Sequence, residues 1–136
     1  MEHRIASIEV SASTGFMAPL HAHRADETVH VLQGRLTVYA GAETVQVGPG
    51  ETFVVRRGLA HTYRAEADAL SVFSTLTPSA GRYESFVRAL GPVAPDGTWS
   101  TPDDAATVTA LAAAAEVSLY GPPGMLPPAI QQARAA

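Results

Sequence analysis

Residues 15–34 constrain the fold more than any other segment, because two histidines and a carboxylate lie between two glycines within this short stretch. His21 and His23 are two positions apart, so on a β-strand, where successive side chains alternate between faces, their imidazoles point the same way. Glu27 follows, just before a new apolar run. Two imidazoles and a carboxylate suit a divalent transition metal. The segment therefore predicts a metal site inside a β-structure.

Short segments with apolar residues at alternate positions surround this stretch, a pattern typical of half-buried strands. The strands that we predict cover residues 4–13, 28–32, 35–40, 44–47, 51–57, 60–65 and 69–76. Turn signals rich in Gly and Pro separate them at intervals of about eight to twelve residues, which favours a sandwich or a barrel. We predict an all-β fold for residues 4–77. The sequence leaves open whether the first strand pairs within the chain or with a second subunit.

After residue 78 the apolar pattern becomes helical. One amphipathic helix is predicted over residues 83–90, with a Gly-Pro stop behind it, and a second over residues 102–119. We divide the chain into a β-barrel at residues 1–78, a helical extension at 79–120 and a Pro- and Ala-rich tail at 121–136. The extension is expected to pack on the barrel or on a partner subunit, and the tail to have little that holds it in place.

Composition excludes several classes of function. The formal net charge is −4, so no basic surface is expected to bind nucleic acid or an anionic membrane. The chain has no cysteine, which leaves His, Asp and Glu as metal ligands. No apolar run reaches the roughly 18–20 residues of a membrane span. The N-terminus lacks the apolar core of an export signal, so we expect a cytoplasmic protein.

A second framed motif follows the first at a fixed distance. The defined positions of the first motif are Gly15, His21, His23, Glu27 and Gly34, and those of the second include Gly50, Gly58 and His61. Both motifs, in this order and at this spacing, resemble the two sequence motifs of the cupin superfamily. The chain departs from the second motif twice, with Arg56 where Pro is usual and Ala65 where Asn is usual.

The resemblance to cupins implies a double-stranded β-helix, a jelly-roll barrel, here with two C-terminal helices. It also implies one divalent transition metal (Fe, Mn, Ni, Cu or Zn) inside the barrel, bound by His21, His23, Glu27 and His61. Three imidazoles and one carboxylate leave open coordination positions for water, O2 or substrate. A small-molecule substrate and a second copy of the chain are the expected partners, the latter because sheet edges need covering.

The motifs and the helices behind them are similar to those of quercetin 2,3-dioxygenase-like cupins and of cupin-type polyketide cyclases. The first hypothesis is a metal-dependent oxygenase that acts on a small oxygenated aromatic or enolic compound, with Glu27 and Tyr63 as candidate catalytic residues. The second is a Zn-dependent cyclase or isomerase without redox chemistry. The third is a non-catalytic barrel that binds a small molecule.

Three side chains have competing interpretations. Glu27 could instead be a structural partner of Arg24 or Arg64. Tyr63 shares a strand face with the second-motif histidine and lines the pocket in one interpretation, whereas in the other it is an ordinary aromatic of the barrel core. His30 lies on the strand face opposite Glu27, so we expect it to point away from the metal site.

Overall fold

A computed structural model describes residues 6–66, 70–77 and 105–135, and it contains nine strands and two helices within these ranges. The strands are β1 (Ala6–Ala12), β2 (Leu20–His23), β3 (Asp26–Gln33), β4 (Leu36–Ala40), β5 (Glu43–Val47), β6 (Thr52–Val55), β7 (His61–Ala65), β8 (Leu70–Thr77) and β9 (Val117–Gly121). The helices are α1 (Ala105–Ala114) and α2 (Pro128–Ala135). The helix predicted over residues 83–90 lies outside the described ranges. Neither α1 nor α2 is long and apolar enough to cross a membrane.

The strands form two antiparallel sheets with the strand order of a jelly roll. One sheet has four strands in the order β1-β8-β3-β6, and the other has five in the order β5-β4-β7-β2-β9. Most neighbours within a sheet are distant in sequence, so the chain passes repeatedly from one sheet to the other, as two packed sheets in a jelly roll require. The predicted all-β jelly-roll fold is confirmed. The first strand, whose partner the sequence left open, pairs with β8 of the same chain.

The helix predicted over residues 102–119 is wrong at its C-terminal end. Helix α1 ends at Ala114, and Glu116 then adopts a positive φ of 60°, a conformation that terminates helices. Residues 117–121 form β9, which pairs antiparallel with β2. Leu119 fits the apolar face of the predicted helix, but its more exposed neighbours on either side also fit the two-residue period of a strand. Pairing with β2 decides between the two periods.

The C-terminal tail is held in place, contrary to expectation. Residues 128–135 form α2, which begins with a proline, a residue suited to the first turn of a helix. Ile130 is buried in the fold, and the guanidinium of Arg134 lies 5.9 Å from the centre of the Tyr39 ring. One apolar anchor and one cation–π contact therefore fix a segment whose composition resembles a linker.

The core lies between the two sheets and consists mostly of β-branched and other aliphatic residues at alternate strand positions. Its buried members are Val29, Val31, Leu36, Val38, Ala40, Val47, Val55, Ala65 and Val72. On β3 the alternation is regular, with buried and half-exposed positions in turn from Asp26 to Val31. This regularity fixes the register of β3, because a slip by one residue would turn its buried side chains outward.

Leu36→Ala tests the core, since Leu36 is 3% exposed and packs within this cluster. We expect the free energy of unfolding, measured by urea denaturation, to fall by about 3 kcal/mol, because apolar contacts are lost and a cavity remains. Leu32→Ala is the matched control, since Leu32 is 48% exposed. It is expected to cost less than about 1 kcal/mol. Equal losses in the two variants would contradict this description of the core.

Candidate metal centre

Three strands bring the predicted ligands together. His21 and His23 lie on β2, Glu27 lies near the start of β3 and His61 begins β7. His21 and His61 are direct cross-strand partners in the β2–β7 pair, and their ring centroids are 4.2 Å apart. The centroid of His23 lies 4.9 Å from that of His61. The four side chains converge in the interior, and each is buried.

Backbone carbonyls fix the orientation of all three imidazoles. The Nδ1 atom of His21 lies 2.7 Å from the carbonyl oxygen of Pro19, and that of His61 lies 2.8 Å from the carbonyl oxygen of Leu59. His23 Nδ1 has an equivalent carbonyl partner, at 2.9 Å. In each ring Nδ1–H can therefore donate, which places the lone pair on Nε2. Neutral imidazoles in this tautomer can ligate a metal through Nε2.

Both carboxylate oxygens of Glu27 are engaged. Oε1 lies 3.2 Å from His23 Nε2 and 3.4 Å from His61 Nε2. The Tyr63 hydroxyl donates a hydrogen bond of 2.6 Å to the same oxygen, and the Ser74 hydroxyl donates one to Oε2. None of these contacts of the Glu27 carboxylate is with an arginine, so the alternative of a structural ion pair is not supported. Instead, Oε1 points into the group of imidazoles.

The arrangement fits a metal ion. One ligand atom from each of His21, His23, Glu27 and His61 can be chosen so that all four lie within 4.8 Å of one another. The Nε2 atoms of His21 and His61 are buried and have no hydrogen-bond partner in the part of the chain that the structure describes. A buried polar atom without a partner costs on the order of 1–3 kcal/mol. A divalent transition metal would satisfy both atoms at once.

The protonation states favour metal binding. Burial, reinforced by the neighbouring His61, lowers the pKa of His21 to about 3, so its imidazole is neutral near pH 7. Burial alone would raise the pKa of Glu27. Nε2–H hydrogen bonds and positive charge on the neighbouring His23 and His61 would outweigh this effect in the absence of a metal and hold the Glu27 pKa well below its usual value, and a metal bound at Nε2 would take the place of those protons. Neutral imidazole and ionised carboxylate are the forms that ligate metals.

The structure also shows the contacts of the remaining candidate residues. Tyr63 packs against the core cluster, as one interpretation predicted, and it also donates a hydrogen bond to Glu27. His30 is confirmed to point away from the centre, since its Nδ1 lies 2.7 Å from the Thr52 hydroxyl oxygen on the other face of β3. Arg64 pairs with Glu66 rather than with Glu27.

Sequence reasoning missed Ser74 as a residue of this site. Strand β8 alternates so that Val72, Ser74 and Leu76 are buried while their described neighbours are more exposed. A serine between two apolar residues on an inner face was visible in the sequence. Its partner was not, because the pairing of β8 with β3 is long-range.

A cavity of about 520 Å³ adjoins strand β2. Its wall includes His23, Arg24, Gly58, Ser118 and Tyr120. Ligand-binding cavities commonly measure about 300–1,000 Å³, so this space is large enough for a small organic molecule. His23 belongs both to this wall and to the group of convergent ligands.

Comparison with known proteins yields a family and a fold. The model of the cupin domain family, Cupin_2, matches residues 8–75. Germin-like protein 3-7 from Oryza sativa subsp. japonica is 40% identical over 84 residues, which cover 54% of this chain and 36% of that protein. Quercetin 2,3-dioxygenase from Bacillus subtilis (strain 168) is 31% identical over 65 residues, which cover 48% of this chain and 19% of that protein. The chain thus matches well under half the length of either relative.

Among solved structures, an RmlC-like cupin from Shewanella frigidimarina superposes with a TM-score of 0.55 at 18% identity. The superposition covers 61% of this chain and 74% of that one. At this identity the likeness concerns the fold alone.

Proposed function

Since the chain belongs to the cupin superfamily, we propose that it is a metal-dependent oxygenase acting on a small oxygenated aromatic or enolic compound. One observation carries the metal-dependent part of this proposal. Two buried imidazole nitrogens, Nε2 of His21 and Nε2 of His61, lack hydrogen-bond partners among the described residues, and the second lies 3.4 Å from Oε1 of Glu27. Buried polar atoms without partners are uncommon in folded proteins, and a bound metal would give each of these two nitrogens a partner.

His21, His23, Glu27 and His61 would hold the metal. When bound, the metal supplies Lewis acidity, which lowers the pKa of a substrate hydroxyl or enol. Glu27 is the candidate general base, because its ionised Oε1 lies among the imidazoles where a substrate hydroxyl would have to arrive. Tyr63 donates to that same oxygen, so its hydroxyl orients the carboxylate and shares in holding the proton there.

Two features support a small-molecule substrate and oxygen chemistry. The cavity beside His23 has the volume of a ligand site and combines polar and aromatic walls. The match to a quercetin 2,3-dioxygenase, a protein named for action on quercetin, favours oxygenase chemistry over other reactions of the fold. Packed aliphatic side chains such as Val29 and Val55 would exclude water from the reaction.

The proposal is tested by O2 uptake. The purified protein would be loaded separately with Fe²⁺, Mn²⁺, Ni²⁺, Cu²⁺ and Zn²⁺ and assayed aerobically on flavonols and enediols. We expect O2 consumption with at least one of the redox-active metals. O2 uptake under none of these loadings would contradict the oxygenase proposal. Turnover without O2 in the Zn²⁺-loaded protein would instead support the cyclase or isomerase hypothesis.

Tyr63→Phe is expected to lower kcat by about 10- to 100-fold while the protein stays folded, because loss of a supporting hydrogen bond to a metal ligand typically has this effect. The measurement is steady-state turnover at saturating metal. Tyr39→Phe is the matched control, since the Tyr39 ring packs against the guanidinium groups of Arg64 and Arg134 and belongs neither to the metal centre nor to the cavity wall. An unchanged kcat in Tyr63→Phe would remove Tyr63 from the candidate catalytic residues.

We also propose that the chain forms a homodimer. Within the described residues, β6 and β9 are edge strands of the two sheets, and they expose Val54 and Tyr120. Apolar side chains on an edge strand favour pairing with another copy. Light scattering is expected to give the mass of two chains, and the mass of one chain would contradict the proposal.

A further inference from the structure

Ser74 lies outside the predicted ligand set but contacts one of its members, Glu27. It lies on β8, is 6% exposed and donates a hydrogen bond from its hydroxyl to Oε2 of Glu27. The other oxygen of the same carboxylate faces His23 and His61. Glu27 is thus held from both sides, by a hydroxyl at one oxygen and by the metal-binding group at the other.

The register of the β3–β8 pair produces this contact. Ser74 is opposite Val29, and Leu76 is opposite Glu27. Inward-pointing side chains repeat every second residue, so Ser74 is the diagonal inner-face neighbour of Glu27. Val29 and Leu76, the other members of this square, are apolar and buried and offer Oε2 no hydrogen bond. Ser74 therefore supplies a donor at a position where a buried carboxylate oxygen would otherwise face apolar side chains.

We propose that Ser74 is a positioning residue that holds Glu27 as a ligand through Oε1 alone. With Oε2 bound to the Ser74 hydroxyl, the carboxylate cannot turn both oxygens toward the imidazoles without breaking that bond. Tyr63 donates a hydrogen bond to Oε1, so each oxygen of the carboxylate is held by one hydroxyl group. A carboxylate that binds through one oxygen leaves more of the coordination sphere open for substrate. This inference rests on the proposed metal site but not on the oxygenase chemistry.

The test is binding of Co²⁺, a metal whose visible absorption reports its coordination number. Ser74→Ala is expected to weaken Co²⁺ binding, measured by competition with a chromophoric chelator, by about 10- to 100-fold. We also expect its Co²⁺ spectrum to change, because the freed carboxylate can rotate. Ser71→Ala is the matched control on the same strand, where Ser71 contacts Glu9 on the opposite face. It is expected to bind Co²⁺ like the wild type and to give the same spectrum.

A second pair of variants isolates the hydroxyl and remains informative if the alanine variant does not fold. Ser74→Thr and Ser74→Val have side chains of almost the same shape, but only threonine retains the hydroxyl. We expect the threonine variant to bind Co²⁺ at least tenfold more tightly than the valine variant. Thermal unfolding of the metal-free proteins checks that a general loss of stability does not cause the difference.

Different outcomes test the positioning role of Ser74 and the metal site on which that role rests. Equal Co²⁺ affinity and identical spectra in wild type and Ser74→Ala, or in the threonine and valine variants, would overturn the positioning role and leave the metal site intact. A wild-type protein that binds none of Co²⁺, Mn²⁺, Ni²⁺ or Zn²⁺ would overturn the metal site itself.

Discussion

Replacing His61 with alanine is expected to abolish metal binding and any metal-dependent turnover. His61 is completely buried, and its Nε2 faces Glu27 without a hydrogen-bond partner among the described residues. The substitution removes one of four convergent ligands from an interior where water cannot easily replace it. Loss of a supporting group costs about 10- to 100-fold in affinity, so loss of a ligand should exceed 100-fold. Equilibrium dialysis followed by elemental analysis measures the effect.

His30→Ala is the control for this experiment. It also removes an imidazole, but His30 lies on the outer face of β3, where it contacts Thr52 of the neighbouring strand β6. We expect its metal content to match that of the wild type. If His61→Ala retained wild-type metal content, or if His30→Ala lost metal to the same degree, the assignment of ligands would be wrong.

Removing the metal is expected to lower the melting temperature by about 10 °C. In the metal-free protein the buried Nε2 atoms of His21 and His61 lack partners among the described residues, so the ion stabilises the folded state by satisfying them. A ligand present at 100 times its Kd contributes about 2.7 kcal/mol. For a domain of this size, 1 kcal/mol corresponds to roughly 4 °C. Calorimetry of chelated and metal-loaded protein measures the difference.

The His21→Ala variant tells specific from nonspecific stabilisation. It should unfold at the same temperature with and without metal, because it lacks one of the converging nitrogens. A wild-type melting temperature that does not respond to any divalent transition metal would contradict the stabilising role of the centre. An equal response in wild type and His21→Ala would show that the metal binds elsewhere.

Much of the site could be predicted from the sequence because its geometry is local. Two histidines separated by one residue must share a face on a strand, and β2 provides that strand. The flanking glycines mark turns that the structure also shows, since Gly15 and Gly34 adopt φ values of 89° and 86°. Other residues avoid this conformation, so glycine spacing carries information about where the chain turns. Local rules of this kind place His21 and His23 correctly, whereas β3 begins at Asp26, two residues before the predicted start.

The features that sequence reasoning missed depend on long-range pairing. Leu119 fits a helical and a strand period equally well, and only its position opposite β2 makes it part of a strand. Ser74 has no distinctive sequence neighbours, and its contact with Glu27 follows from the register of β8 against β3. Ile130 anchors a tail whose composition alone indicates a linker. In each case the decisive partner lies more than forty residues away or in another element.

Elemental analysis of protein purified without added metal would show whether the buried centre binds one divalent transition metal. We predict about one equivalent of such a metal per chain, lost in His61→Ala and retained in His30→Ala. Iron, manganese, nickel or copper as that metal would agree with the oxygenase proposal, whereas zinc alone would favour non-redox chemistry. A wild-type protein that carries no metal, and that takes up none when loaded, would contradict the assignment of a metal centre to these four residues.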